Sequence, residues 1–185
     1  YSSGIIGDLY PHRITALMLV LGAELPTRVA TTGGIYVPRE REWRTDKGVV
    51  KLPDREVPDT VHTLVDFPSG HTMLIAGSTV NETGLPTTVR GSQATMYLES
   101  RTSLQIKPER VYAEELEPIE ERLEVSANEF APHEQNFMEC VRTRKAPNCG
   151  PDVAYPTMVV CALAEKSYRE SRTVRFDPVA RKVIA

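Results

Sequence analysis

Helical and strand-like patterns are separated along this 185-residue sequence, and this separation constrains its fold more than any other feature. One helical pattern stands near the start, a series of strand-like segments follows, and two helical patterns come near the end. Alternating strands and helices would instead be typical of parallel βαβ units. The order therefore predicts an α+β layer with a mainly antiparallel sheet.

The first helix is predicted over residues 8–21. Gly22 stands where a left-handed C-cap is expected, and Pro11 fits the first turn, where its missing amide costs no hydrogen bond. The residues predicted to face inward at helical spacing are Tyr10, Ile14, Leu17, Met18 and Leu21.

The clearest strand pattern is a hairpin over residues 60–67 and 71–80, joined by the tight turn Pro68-Ser69-Gly70. Further strands are predicted over residues 28–32, 88–98, 102–106 and 173–176, with Gly91 marking a bend or bulge. Residues 37–56 are predicted to form a long loop, and the acidic residues 114–124 a solvated connection.

Two helices are predicted to end the chain. The first covers residues 133–144 and the second covers residues 152–172, with Asp152 as its N-cap. Phe137, Met138 and Val141 share one side of the first helix. The predicted inward face of the second helix is Tyr155, Val159, Ala162 and Leu163.

Length and charge exclude several classes of protein. The length suits one domain over residues 1–185. A net charge of −3, with no basic stripe interleaved with aromatic residues, argues against nucleic acid as a partner. The apolar runs are too short to cross a bilayer, so no membrane association is predicted. Because the chain starts at Tyr1 and not at a methionine, we interpret it as a piece of a longer protein.

The three cysteines, Cys140, Cys149 and Cys161, show no spacing typical of a metal site. We interpret them as reduced, structural residues of a cytoplasmic protein. No glycine-rich dinucleotide turn, phosphate-binding loop or nucleophile elbow is present in the sequence.

The strongest chemical signal is the pair Asp8 and His12. Residues four apart share one face of a helix, and a carboxylate beside an imidazole can fix its tautomer and prepare it for proton transfer. Asp8 can equally serve as the N-cap of the helix, and the two roles are compatible. Trp43 and Tyr36 lie near the long loop, where they can stack on a sugar ring or simply pack. We interpret the remaining histidines, His62, His71 and His133, as surface or packing residues.

Several segments together resemble the C-terminal domain of Gfo/Idh/MocA (glucose–fructose oxidoreductase/inositol dehydrogenase-type) enzymes. The first is Asp8-Leu9-Tyr10-Pro11-His12, with its helix ending at Leu21-Gly22. The others are residues 26–29, 58–60, 65–70, 133–137, 140–142, Pro147 and 174–178. The resemblance extends over nearly the whole chain.

This resemblance implies an open, mostly antiparallel sheet with helices on one face, and a missing N-terminal Rossmann domain. The domain would shape the pocket for a sugar, polyol or related hydroxy compound, and the other sheet face would form a homodimer or homotetramer. His12 would move the substrate hydroxyl proton, and Asp8 would orient it or bind the sugar. Tyr10 and Trp43 are the candidate substrate-binding residues. NAD or NADP would serve the full-length parent, and no cofactor or metal is expected on this fragment.

Two departures from the family pattern affect that interpretation. Tyr10 and Thr15 replace the glycine and the acidic residue that are common in the family at these positions. The Rossmann domain and its catalytic lysine are not part of the sequence, so the isolated chain is expected to be inactive. The alternative is a non-catalytic binding or assembly module of the same fold with a vestigial Asp/His pair.

Overall fold

A computed structural model describes residues 4–37, 42–51, 55–98, 102–124 and 130–184. The helices are α1 (Ile5–Asp8), α2 (Tyr10–Leu21), α3 (Ala131–Thr143) and α4 (Pro151–Glu170). The strands are β1 (Arg28–Gly34), β2 (Glu42–Thr45), β3 (Gly48–Lys51), β4 (Thr60–Asp66), β5 (Thr72–Ser78), β6 (Thr87–Arg90), β7 (Ala94–Leu98), β8 (Ser103–Pro108), β9 (Ile119–Arg122), β10 (Val174–Asp177) and β11 (Lys182–Ile184).

The chain divides into two compact units. The first combines Tyr1–Thr83 with Cys149–Ala185, and the second is Gly84–Asn148. The organisation of residues 1–185 as a single domain stays a prediction.

The first unit contains an antiparallel sheet of five strands in the order β11-β10-β1-β4-β5. Its strands alternate between a covered and an open face, because successive side chains of a strand point to opposite sides. Val29, Val61, Val65 and Val174 are fully buried on the covered face. They pack in one core with apolar side chains of α1, α2 and α4, so the helices cover a single face of this sheet.

The second unit contains an antiparallel sheet in the order β6-β7-β8-β9 together with helix α3. Gly91 lies in the turn that separates β6 from β7, where its amide donates a hydrogen bond to the carbonyl oxygen of Ala94. The predicted α+β class with open, mostly antiparallel sheets is therefore confirmed.

Two predicted connections are wrong because they contain strands. Within residues 37–56, β2 and β3 form a hairpin in which Thr45 pairs with Gly48. Within residues 114–124, β9 pairs with β8. Every described side chain of β3 and β9 is exposed. Without a buried face, a strand lacks the apolar alternation by which a sequence reveals it.

Helix α4 begins earlier and packs differently than predicted. Gly150 is its N-cap and Pro151 its first residue, whereas Asp152 lies inside the first turn. Tyr155, predicted to face inward, is 44% exposed, while Thr157 and Ser167 are buried. Both hydroxyls donate to backbone carbonyl oxygens, that of Thr157 to Val153 and that of Ser167 to Arg172, which removes the cost of burying them.

The buried carboxylate of Asp59 fixes the backbone that follows β1. It accepts hydrogen bonds from the amides of Tyr36 and Val37 at 3.0–3.1 Å. The Asp59 amide in turn donates to the carbonyl oxygen of Gly34. This aspartate therefore joins the end of β1 to the start of β4.

Candidate functional site

The candidate site lies where α1 meets α2. Leu9 joins the two helices with right-handed helical angles, φ −88° and ψ −35°, so the chain keeps nearly helical geometry from Asp8 to His12. Asp8 is the last residue of α1, and no side-chain hydrogen bond caps α2. The proposed N-cap role of Asp8 is therefore wrong, because helical structure already begins at Ile5.

Asp8 and His12 both expose their side chains to solvent, one helical turn apart. Within the described part of the chain, no hydrogen bond or ion pair links them. Their spacing is compatible with a shared site, while the contact between acid and imidazole stays a prediction.

His12 borders a shallow, open hollow of about 330 Å³. Its other lining residues are Pro11, Thr15, Ala16 and Leu19, all from helix α2. Apart from His12 and Thr15, this lining is apolar. The hollow thus presents an imidazole beside a hydroxyl on an otherwise apolar helix face.

Tyr10 points the opposite way, into the core, with 2% of its surface exposed. Its hydroxyl lies 3.3 Å from the Val61 carbonyl oxygen, 3.3 Å from Thr63 Oγ1 and 3.4 Å from the Ile75 carbonyl oxygen. Burial raises the pKa of Tyr10 to about 12, although the hydrogen bond with Thr63 acts in the other direction. The ring offers almost no surface to a ligand, so the geometry supports a structural role in place of the predicted substrate contact.

Trp43 lies in strand β2, where its backbone pairs with Val50. Its side chain lies outside the described part of the structure, and its role in substrate binding stays a prediction. Tyr36 follows β1 and is 66% exposed.

A second hollow, of about 470 Å³, lies on the open face of the five-stranded sheet. It includes the strand residues His62, Leu64 and Leu74 and, from the segment between α4 and β10, Ser171 and Arg172. Alternation along β4 places His62 and Leu64 on one face. The sequence gives no sign that Ser171 and Arg172, more than a hundred positions later, line the same hollow. The sequence analysis therefore missed this hollow.

Neither the cysteines nor the acidic residues form a metal site within the described ranges. Cys161 is buried in the core, and this burial raises the pKa of its thiol to about 11, which disfavours the reactive thiolate. None of the described helices has the length and apolar character needed to cross a membrane.

The model of the Gfo/Idh/MocA family described as "Oxidoreductase family, C-terminal alpha/beta domain" matches residues 1–176. This chain belongs to that family. The match extends over nearly the whole sequence and confirms the resemblance seen in its motifs. No curated protein matches the sequence significantly.

Solved structures of oxidoreductases share the fold of this Gfo/Idh/MocA domain. An aldose-aldose oxidoreductase from Caulobacter crescentus, complexed with glycerol, matches with a TM-score of 0.68 and 20% identity over 94% of this chain and 48% of its own. UDP-N-acetylglucosamine 3-dehydrogenase from Acidithiobacillus ferrooxidans matches with a TM-score of 0.66 and 14% identity, over 90% of this chain and 48% of its own. An Agrobacterium radiobacter oxidoreductase, in complex with NAD+, L-tartaric acid and magnesium, matches with a TM-score of 0.62 and 16% identity. This match covers 92% of this chain and 48% of that protein. The chain thus spans about half the length of these proteins.

Proposed function

We propose that this chain is the substrate-side domain of a longer NAD(P)-dependent oxidoreductase that acts on a sugar, polyol or related hydroxy compound. The observation that carries the proposal is the exposed His12, one helical turn after Asp8 and beside an open hollow, in a chain of this family. The names of the matching structures, among them an aldose-aldose oxidoreductase and an NAD+ complex, support the substrate and cofactor class.

In this proposal His12 transfers the hydroxyl proton of the substrate. When an alcohol is oxidised, the oxygen loses a proton while the carbon loses a hydride, and an imidazole can accept the proton near neutral pH. Asp8 orients the imidazole once the substrate is bound. The described residues form no glycine-rich turn between a strand and a helix, so they do not fit a nicotinamide dinucleotide, and no step through the cofactor is assigned to them.

The proposal is tested by expressing the longer protein that contains residues 1–185. We expect it to bind NAD or NADP and to change the nicotinamide absorbance when a sugar or polyol is added. The 185-residue chain alone, as the control, is expected to do neither. A longer protein that binds no nicotinamide dinucleotide would contradict the proposal.

A non-catalytic binding or assembly module is the second candidate function. The absence of a hydrogen bond between the described side chains of Asp8 and His12 favours it, because a vestigial pair need not keep its geometry. Removing the imidazole from the longer protein separates the two functions, since only the enzyme depends on it.

We also propose that the open face of the five-stranded sheet joins copies of the protein into a homodimer or homotetramer. Leu64 and Leu74 pair across β4 and β5 on this face and are 50% and 64% exposed. Neighbouring apolar side chains left in water favour association, because contact between copies removes them from solvent.

The prediction for this surface is that Leu74→Asp shifts the assembly towards monomers in light scattering at micromolar concentration. A buried, unpaired carboxylate would oppose association of the two surfaces. Val179→Asp is the matched control, because Val179 is 92% exposed in the turn between β10 and β11. A strictly monomeric parent protein, or equal masses for both variants, would contradict the proposed interface.

A further inference from the structure

We propose that Tyr10 is a positioning residue whose buried side chain sets the rotation of the helix start and so directs Asp8 and His12 together to the outside. The inference rests on the proposed function of His12, and it concerns how the fold presents that side chain.

Helical geometry explains why one buried side chain can orient two others. With 3.6 residues per turn, the residues two positions before and two after Tyr10 each point about 160° away from it and about 40° from each other. The right-handed angles of Leu9 keep this relation across the junction of α1 and α2. When Tyr10 faces the sheet, Asp8 and His12 must therefore face solvent on one side, as their exposure shows.

The sheet holds Tyr10 through contacts on two strands. The hydroxyl bonds to β4 at Val61 and Thr63 and lies 3.4 Å from the Ile75 carbonyl oxygen of β5. Gly77 of β5 leaves the space for the ring, since a Cβ atom there would lie 3.2 Å from Tyr10 Cε1. The same Cβ would lie 2.5 Å from Ile5 Cγ2, so one glycine accommodates side chains of both α1 and α2.

Hydrogen bonds extend from Tyr10 to the end of helix α4. Thr63 Oγ1 lies 3.0 Å from Thr31 Oγ1, and the Thr31 amide donates to Ser167 Oγ at 2.8 Å. Ser167 Oγ donates to the carbonyl oxygen of Arg172 at 2.7 Å. The hydroxyl of Tyr10 therefore binds to a region of the sheet that other hydrogen bonds hold in place. This region can fix the position of the start of α2.

The test compares three variants of the longer protein, with steady-state kinetics measured across a range of pH. Tyr10→Leu is expected to lower kcat about 10- to 100-fold with little change in KM for the cofactor, because a misplaced imidazole transfers protons poorly. It should also shift the low-pH limb of the rate profile, because the displaced imidazole lies at a different distance from the Asp8 carboxylate. Tyr10→Phe keeps the ring but loses the hydroxyl, so we expect a smaller loss of kcat, about two- to threefold relative to the parent. Met18→Ala, the control, removes a buried side chain two turns further along α2 and should lower Tm without altering the pH profile.

Each outcome decides the inference. Equal losses of kcat in Tyr10→Leu and Met18→Ala, or an unchanged pH profile in Tyr10→Leu, would show a merely structural role. If Tyr10→Leu does not fold, Tyr10→Phe decides, and kinetics identical to the parent at every pH would overturn the inference. His12→Ala separates this result from the proposed function. Unchanged turnover in His12→Ala contradicts the function itself, whereas lost turnover with a normal Tyr10→Leu contradicts only the positioning role.

Discussion

His12→Ala in the longer protein is expected to lower kcat by about 100- to 10,000-fold, the usual contribution of general acid–base catalysis. Nicotinamide binding should not change, because the described residues of this chain form no glycine-rich turn that would hold the cofactor. His12 is exposed and its side chain makes no hydrogen bond among the described residues, so the free energy of unfolding should change by less than about 0.5 kcal/mol. Steady-state kinetics, cofactor titration and thermal unfolding measure these three effects separately.

His133→Ala is the matched control for this experiment. His133 is also an exposed histidine of a helix, but it lies in α3 of the second unit. Its removal should leave kcat within about twofold, as for a surface substitution outside a site. Normal turnover in His12→Ala would remove the imidazole from the chemistry and favour the assembly module. Loss of cofactor binding in the same variant would show that the substitution disturbs more than proton transfer.

The core side of α2 could be predicted from the sequence because its signal is local. Tyr10, Ile14 and Met18 repeat at helical spacing, and all three are buried. Leu21 continues the same stripe but is 41% exposed at the last turn of the helix. Periodicity identifies a face, but only tertiary packing decides how far along the helix that face is covered.

The buried face of α4 could not be predicted from apolar residues alone. Thr157 and Ser167 lie in the core because their hydroxyls bond to backbone carbonyl oxygens within or near the helix. Tyr155 stays near the surface, where the guanidinium of Arg181 lies 5.5 Å from its ring centroid. Hydrogen-bond satisfaction and long-range partners decide these positions, and neither leaves a periodic trace in the sequence.

The candidate site, like the helices, was predictable only where its signal is local. A spacing of four residues places Asp8 and His12 one turn apart, and the structure keeps that relation across Leu9. The hollow on the open sheet face was not predictable, because His62 and Arg172 are brought together only by the pairing of β1 with β4 and β10. Residues that lie within one helical turn can be grouped from their sequence spacing. A hollow lined by distant segments can be predicted only when the strand order is known.

Gly33→Ala is expected to lower the free energy of unfolding by about 3 kcal/mol or more, and Tm by about 10 °C. A Cβ atom at Gly33 would lie 2.3 Å from the Thr60 carbonyl oxygen and 2.8 Å from Val61 Cα. Both are backbone atoms of β4, so relief requires β1 and β4 to separate. Because β1 also carries Thr31, which bonds to Thr63 beside Tyr10, the displacement should reach the anchor of the helix start.

Gly34→Ala is the control, because it adds the same methyl group to the next residue of the same strand. The three atoms nearest to a Cβ atom there all belong to the Tyr36 side chain, at 3.1–3.4 Å, and this exposed side chain can rotate away. Reduced freedom of the unfolded chain offsets part of any strain, so we expect a change within about 1 kcal/mol. Denaturant and thermal unfolding of both variants, followed by circular dichroism, measure the difference. Equal stability of the two variants would mean that β1 can move away from β4 at little cost, and a strand so loosely held would be a poor support for Tyr10.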